Sequence, residues 1–166
     1  VLILGVDPGT AITGYGLVRV QGNKLDAVSY GCIRTDAGLP LHQRLQKINS
    51  EISRLIREFK PTHFAIEELF FNKNTRTALS VGQARGVALL AAANAGLEIA
   101  EYTPLQVKQA VVGYGRADKN QVQYMVKTIL CLPEIPKPDD TADALAVAIC
   151  HSHFYKMEDI FLIRGK

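Results

Sequence analysis

Hydrophobic positions in the first 35 residues fall in short runs and alternations rather than at helical spacing. Val1-Leu-Ile-Leu-Gly-Val-Asp7 is a nearly continuous apolar stretch closed by Pro8-Gly9. That is the pattern of a strand covered on both faces, with Asp7 at its C-terminal end. Thr13 to Val20 and Lys24 to Thr35 are rich in β formers, and the Gln21-Gly22-Asn23 link between them predicts a hairpin. From Leu41 the period changes. Leu41, Leu45, Ile48, Ile52, Leu55, Ile56 and Phe59 share one side of a helix, with charged residues between them. After Pro61, His63-Phe-Ala-Ile-Glu67-Glu68 reads as a second buried strand, parallel to the first because a helix intervenes. Successive strand residues point to opposite faces, so only one of Glu67 and Glu68 can join a site on a given face.

Thr77 to Ala95 is helical in pattern and rich in Ala and Gly, with Gly82 and Gly86 on one side. Small residues there admit close approach of another element, within the chain or from a second copy. Leu97 to Tyr102 is a last short strand. A helix from Pro104 breaks at Gly113-Tyr-Gly115, another runs from Asp118 to Leu130, and the final one starts at Asp139 or Asp140 and reaches about Tyr155. The order β-β-β-α-β-α-β-α-α-α predicts an α/β fold: a mixed five-stranded sheet with helices on both faces. A chain of 166 residues has room for one sizeable core. We expect a single domain over 1–156 and a C-terminal tail over 157–166 to which the sequence assigns no role.

Composition narrows the function classes. No apolar run is long enough to span a bilayer, and Val1 to Asp7 lacks the basic start of a signal peptide, so a cytoplasmic protein is expected. Cys32, Cys131 and Cys150 are scattered and odd in number, which suits buried thiols in a reducing compartment. A net charge of +3 is ordinary, but its distribution is not: Leu69 to Leu97 holds no acid while carrying Lys73, Arg76 and Arg85, and Lys108, Arg116, Lys119 and Lys127 follow.

The acids carry the candidate chemistry. Asp7 and Glu67 end two apolar strands, and ligands of open α/β sheets gather at the carboxyl ends of parallel strands. Asp140 and Asp143, three apart, share one side of a helix. Taken singly, each is as well read as a turn former, a helix N-cap or a surface charge. Together, four carboxylates facing one point repel unless cations neutralise them. Oxygen ligands without thiolates or clustered imidazoles favour Mg²⁺ or Mn²⁺ over Zn²⁺. Paired ions of this kind hydrolyse phosphodiesters by in-line displacement.

Six blocks make the chain recognisable: Val6-Asp7-Pro8-Gly9-Thr10, Ala65-Ile66-Glu67-Glu68-Leu69-Phe70, Gly82-Gln83-Ala84-Arg85-Gly86, Gln106-Val107-Lys108-Gln109, Val111-Val112-Gly113-Tyr114-Gly115, and Asp140-Thr141-Ala142-Asp143-Ala144-Leu145-Ala146. In this order, up to about Tyr155, they resemble the RuvC family of bacterial Holliday-junction resolvases. The resemblance implies an RNase H-like fold, a homodimer, and Mg²⁺-dependent nicking of two opposed strands of four-way junction DNA, leaving 5′-phosphate and 3′-hydroxyl ends. Mn²⁺ is the expected substitute, with two ions per subunit. By motif position Asp7, Glu67, Asp140 and Asp143 take the family's four acidic, metal-holding places, and the Asp-x-x-Asp spacing selects Asp140 over Asp139. Lys108 and Lys119 match basic positions beside the active site, implied to serve both catalysis and DNA binding. Phe70 matches an aromatic residue that stacks on junction bases, with Phe71, Lys73, Asn74 and Arg76 in the same DNA-binding loop. The partners implied are RuvA and RuvB.

Three rivals are weighed against this. Asp7-Pro-Gly-Thr with Gly14-Tyr-Gly16 also resembles the phosphate hairpin of actin-like ATPases, but those need two lobes and a second phosphate loop that this chain lacks. A related RNase H-like nuclease of RNA precursors shares the first Asp strand. A catalytically silent junction binder would not need all four acids.

Overall fold

The computed structural model describes the backbone of residues 1–69 and 75–164, and the side chains of 1–69 and 76–157. Phe70, Phe71, Lys73 and Asn74 lie outside the described residues. Five strands form one sheet: β1 (Leu2–Asp7), β2 (Ile12–Gln21), β3 (Lys24–Arg34), β4 (His63–Glu67) and β5 (Glu98–Tyr102), in the order β3-β2-β1-β4-β5. The first three are antiparallel neighbours, and β4 and β5 continue parallel to β1. β1 is therefore central, which explains why its sequence is apolar throughout rather than alternating.

Helices α1 (Leu41–Phe59) and α2 (Thr75–Asn94) cover one face of the sheet. There Ile48, Ile52 and Ile56 of α1 and Ala84 and Ala88 of α2 meet Leu4, Val6, Phe64 and Ile66. Helices α3 (Pro104–Val112), α4 (Lys119–Ile129) and α5 (Asp139–Arg164) lie on the other face. α5 is buried between the sheet and its two neighbours, with Ala142, Ala144, Leu145, Ala148 and Ile149 fully enclosed. The α/β class and element order match the pattern reading. No helix among the described residues is long and apolar enough to cross a membrane.

Three expectations need correction. α5 does not stop near Tyr155 but continues to Arg164, through the boundary drawn at 156. The chain offers no glycine or proline stop signal before Gly165, so nothing local ends the helix. β4 ends at Glu67, and Glu68 leaves the strand with its N–H donating to the Tyr102 carbonyl at 2.7 Å. Of the three thiols only Cys150 is buried. Cys131 is exposed and Cys32 half-buried, because Cys131 follows α4 in a connection and Cys32 lies on the edge strand β3. Burial pushes the Cys150 thiol up to about 12, which leaves it protonated and inert.

Candidate active site

Strand alternation decides which acids can meet. On β1, Leu4 and Val6 face α1 and α2 while Ile3 faces α5, which places Asp7 on the α5 side. On β4, Phe64 and Ile66 face α1 and α2 and Ala65 faces α5, which puts Glu67 beside Asp7. Both acids open into a cleft of about 240 Å³ that is also lined by Asp143 of α5, Lys108 of α3 and Lys119 of α4. Glu68 is not among the residues that line this cleft. It lines an adjoining recess that Asp7 and Glu67 also border, together with Pro8, Leu69 and Arg85.

Glycines bring α5 close enough to complete the group. A Cβ on Gly5 would run into the Ala144 carbonyl, one on Gly14 into the Asp140 carbonyl, and one on Gly16 into the Leu145 side chain. Gly14 pairs directly with Asp7 across the β1–β2 ladder, so the missing side chain lets the start of α5 rest beside the end of β1. The Thr141 hydroxyl adds a tether, donating to the Gly31 carbonyl at 3.0 Å. Gly14→Ala is therefore expected to push α5 outward, costing about 1–3 kcal/mol of stability. A displacement of even about 1 Å at the acids lowers the reaction rate by roughly a hundredfold. Urea unfolding and an activity assay of the same preparation check both effects.

The two lysines are aimed by helix caps. α3 starts with a capping box, in which the Gln106 N–H donates to the Thr103 hydroxyl at 3.1 Å and the Thr103 N–H to the Gln106 side chain at 2.8 Å. Gln106 thus has a definite structural task, two residues before Lys108. Asp118 and Gln121 form the same reciprocal pair at the start of α4, where Lys119 is the first helical residue. The Thr-x-x-Gln and Asp-x-x-Gln spacings are the sequence signal that carries both caps.

Electrostatics mark the cleft as short of positive charge. Burial, followed by the nearby Asp143, Asp140 and Glu67 carboxylates, raises Asp7 from 3.8 to about 8, and a hydrogen bond with Asp140 adds to the effect. Burial and Asp143 also raise Glu67, against the pull of Lys108. Asp143 is raised by burial and Asp140 although Lys119 opposes it. Among the described residues no three Asp, Glu, His or Cys side chains form a ready-made metal cage. Asp7 and Asp140 instead share a hydrogen bond. The donor set nonetheless fits a hard divalent cation: oxygen ligands only, and a carboxyl group that keeps a proton for want of a counter-charge.

Arg76 is exposed at the start of α2 and lines a separate open groove with Thr10, Ser80 and Asp140, so Asp140 stands between this groove and the acidic cleft. The Thr10 hydroxyl holds that groove together through Ser80, with oxygens 2.7 Å apart.

The family model described as "Crossover junction endodeoxyribonuclease RuvC" matches residues 3–151. A crossover junction endodeoxyribonuclease RuvC of Pelotomaculum thermopropionicum is 67% identical over 157 residues, covering 95% of this chain and 96% of the relative. The solved RuvC structure from Thermus thermophilus superposes with a TM-score of 0.88 at 37% identity, covering 95% of this chain and 97% of its own. The T. thermophilus RuvC in complex with a Holliday junction substrate gives a TM-score of 0.90 at the same identity, covering 95% and 96%.

Proposed function

The chain belongs to the RuvC family of crossover junction endodeoxyribonucleases, and from that premise we propose that it resolves Holliday junctions by cutting DNA at the Asp7, Glu67, Asp140 and Asp143 cluster. The observation that carries the assignment of the site is the convergence of Asp7, Glu67 and Asp143 with Lys108 and Lys119 in one cleft. The family is metal-dependent. In this chain Mg²⁺, with Mn²⁺ as substitute and two ions per subunit, is the cation its oxygen donors suit. Asp7, Glu67, Asp140 and Asp143 are the residues that would hold it. Such ions, when bound, activate water and offset charge on the leaving oxygen of a phosphodiester, leaving 5′-phosphate and 3′-hydroxyl ends.

The protein's own groups do the rest. Asp7, raised by burial and hydrogen-bonded to Asp140, is the carboxyl that would lose its proton if a cation were held there. Lys108 and Lys119, at the cleft wall, meet the phosphate and stabilise the charge that grows on it. Arg76 contacts the DNA backbone from the neighbouring groove, and Phe70 and Phe71 with Lys73 and Asn74 engage the junction centre. Stacking one base on such a ring contributes about 1–3 kcal/mol.

Cutting two opposed strands in one encounter calls for two sites related by a two-fold axis, hence a homodimer. The outer side of α2 supports this, since Leu79 and Leu90 are 66% and 56% exposed and Gly86 between them has open space around it. RuvA and RuvB, which move the junction, are the expected partners, and the cytoplasm is the expected location.

Purified protein should nick a synthetic four-way junction symmetrically when Mg²⁺ is added, and should sediment at twice the 18.2 kDa chain mass. Cleavage of structured RNA in preference to the junction would favour the RNA-precursor nuclease. Binding without nicking would favour a silent junction binder.

A further inference from the structure

Asp139 precedes the acidic cluster and is passed over by the motif, yet its carboxylate is engaged at both oxygens. Oδ2 lies 3.0 Å from the Lys119 ammonium, and Oδ1 accepts a hydrogen bond from the Gln123 side-chain amide at 3.0 Å. Gln123 is buried against the core on α4, one turn beyond Lys119, so the Asp139 carboxylate is steered by a fixed donor. The same ammonium is 4.0 Å from Asp143. Lys119 therefore sits between an acid inside the cleft and an acid outside it, on a backbone already fixed by the Asp118–Gln121 cap.

We propose that Asp139, held by Gln123, is a positioning residue that keeps the Lys119 ammonium at the mouth of the catalytic cleft beside Asp143, prearranged to receive the DNA phosphate. A free lysine chain spreads over many rotamers, and ordering it beforehand removes part of that entropy loss from the catalytic step. An ammonium has three N–H donors, so the bond to Asp139 leaves others for a phosphate oxygen. The bridge does not compete with the role it supports. Lys119 and Asp139 are 56% and 60% exposed, which limits the effect to that of a solvated pair, roughly two- to fivefold in rate.

The inference rests on Lys119 acting at the phosphate, and its test separates the two claims. Single-turnover nicking of a saturating four-way junction in Mg²⁺ should be roughly two- to fivefold slower in Asp139→Asn, with junction affinity unchanged. Gln123→Ala, which leaves the charges intact, should shift the rate in the same direction. In a Lys119→Met background Asp139→Asn should change nothing more. An equal loss in both backgrounds, or no loss in the first, overturns the proposal. A second readout needs no activity: the ¹⁵N-labelled Lys119 ammonium should be ordered in the wild-type protein and mobile in Asp139→Asn. Equal mobility in the two also overturns it. A wild-type protein that does not nick would instead refute the resolvase reading of the cleft.

Discussion

Asp7→Asn is expected to abolish junction nicking, by at least about a hundredfold, while leaving junction binding intact and making the metal-free protein more stable at pH 8. The first half follows from position. Asp7 ends the central strand, opens into the cleft with Glu67 and Asp143, and shares a hydrogen bond with Asp140. Even residues that merely support a metal ligand change affinity or activity by about 10–100-fold, so loss of a ligand should exceed that. The second half follows from charge. A carboxyl raised from 3.8 to about 8 by burial and three neighbouring acids is an unfavourable place for an anion. At about 1.4 kcal/mol per pH unit the penalty reaches several kcal/mol at pH 8. An amide has no charge to bury, and in a domain of this size the relief should raise Tm by about 5–10 °C. An active Asp7→Asn protein would sink the carboxylate mechanism. An inactive one whose metal-free Tm falls at pH 8 would show that the cluster is not electrostatically strained.

Stability of the metal-free protein should fall as pH rises from about 6.5 to 8, and saturating Mg²⁺ should remove most of that fall. Asp7 is raised in the folded state, so the native protein holds a proton that the unfolded chain has already released. Stability is then lost as pH climbs from 3.8 to about 8 and levels off above it. Glu67 and Asp143, also raised, act in the same sense. His151 acts in the opposite sense. Burial, with His63 beside it, lowers it from 6.5 to about 4, so its contribution is present above pH 6.5 and lost as pH falls towards 4. The two effects oppose each other below 6.5, which leaves the window above it to the carboxylates. A cation bound by the ionised acids stabilises the native state by mass action, about 2.7 kcal/mol at a hundredfold excess over Kd. Denaturant titrations in EDTA and in Mg²⁺ across this window check the sign. A flat profile in EDTA, or a Mg²⁺ effect undiminished in Asp7→Asn, would contradict the strained cluster.

Much of the fold can be read from local pattern because each element declares itself locally. The 3.6 period of α1 is unbroken from Leu41 to Phe59, the apolar run of β1 is too short and too uniform for anything but a central strand, and Gly22 marks the hairpin. Alternation separated Glu67 from Glu68 as a pair, and the packing then showed Glu67 on the α5 side with Asp7. Boundaries were less legible where no breaker stands. α5 runs to Arg164 because helix continuation there depends on the absence of a stop signal rather than the presence of one.

By itself, the sequence determined the element order, the strand-end placing of Asp7 and Glu67, the helical side shared by Asp140 and Asp143, and, through its motifs, the family. All of these depend on residue type and short spacing. Only the tertiary structure decided how near the acids come. That distance is set where Gly14 lets the Asp140 backbone settle beside Asp7, a contact between residues more than a hundred positions apart. The same holds for the charge state of Asp7, since burial and neighbours act through space, and for Asp139, whose two partners lie on a different helix. A carboxylate's place along the chain follows from its residue type and local pattern. Its proton and its partners follow from what folding places around it.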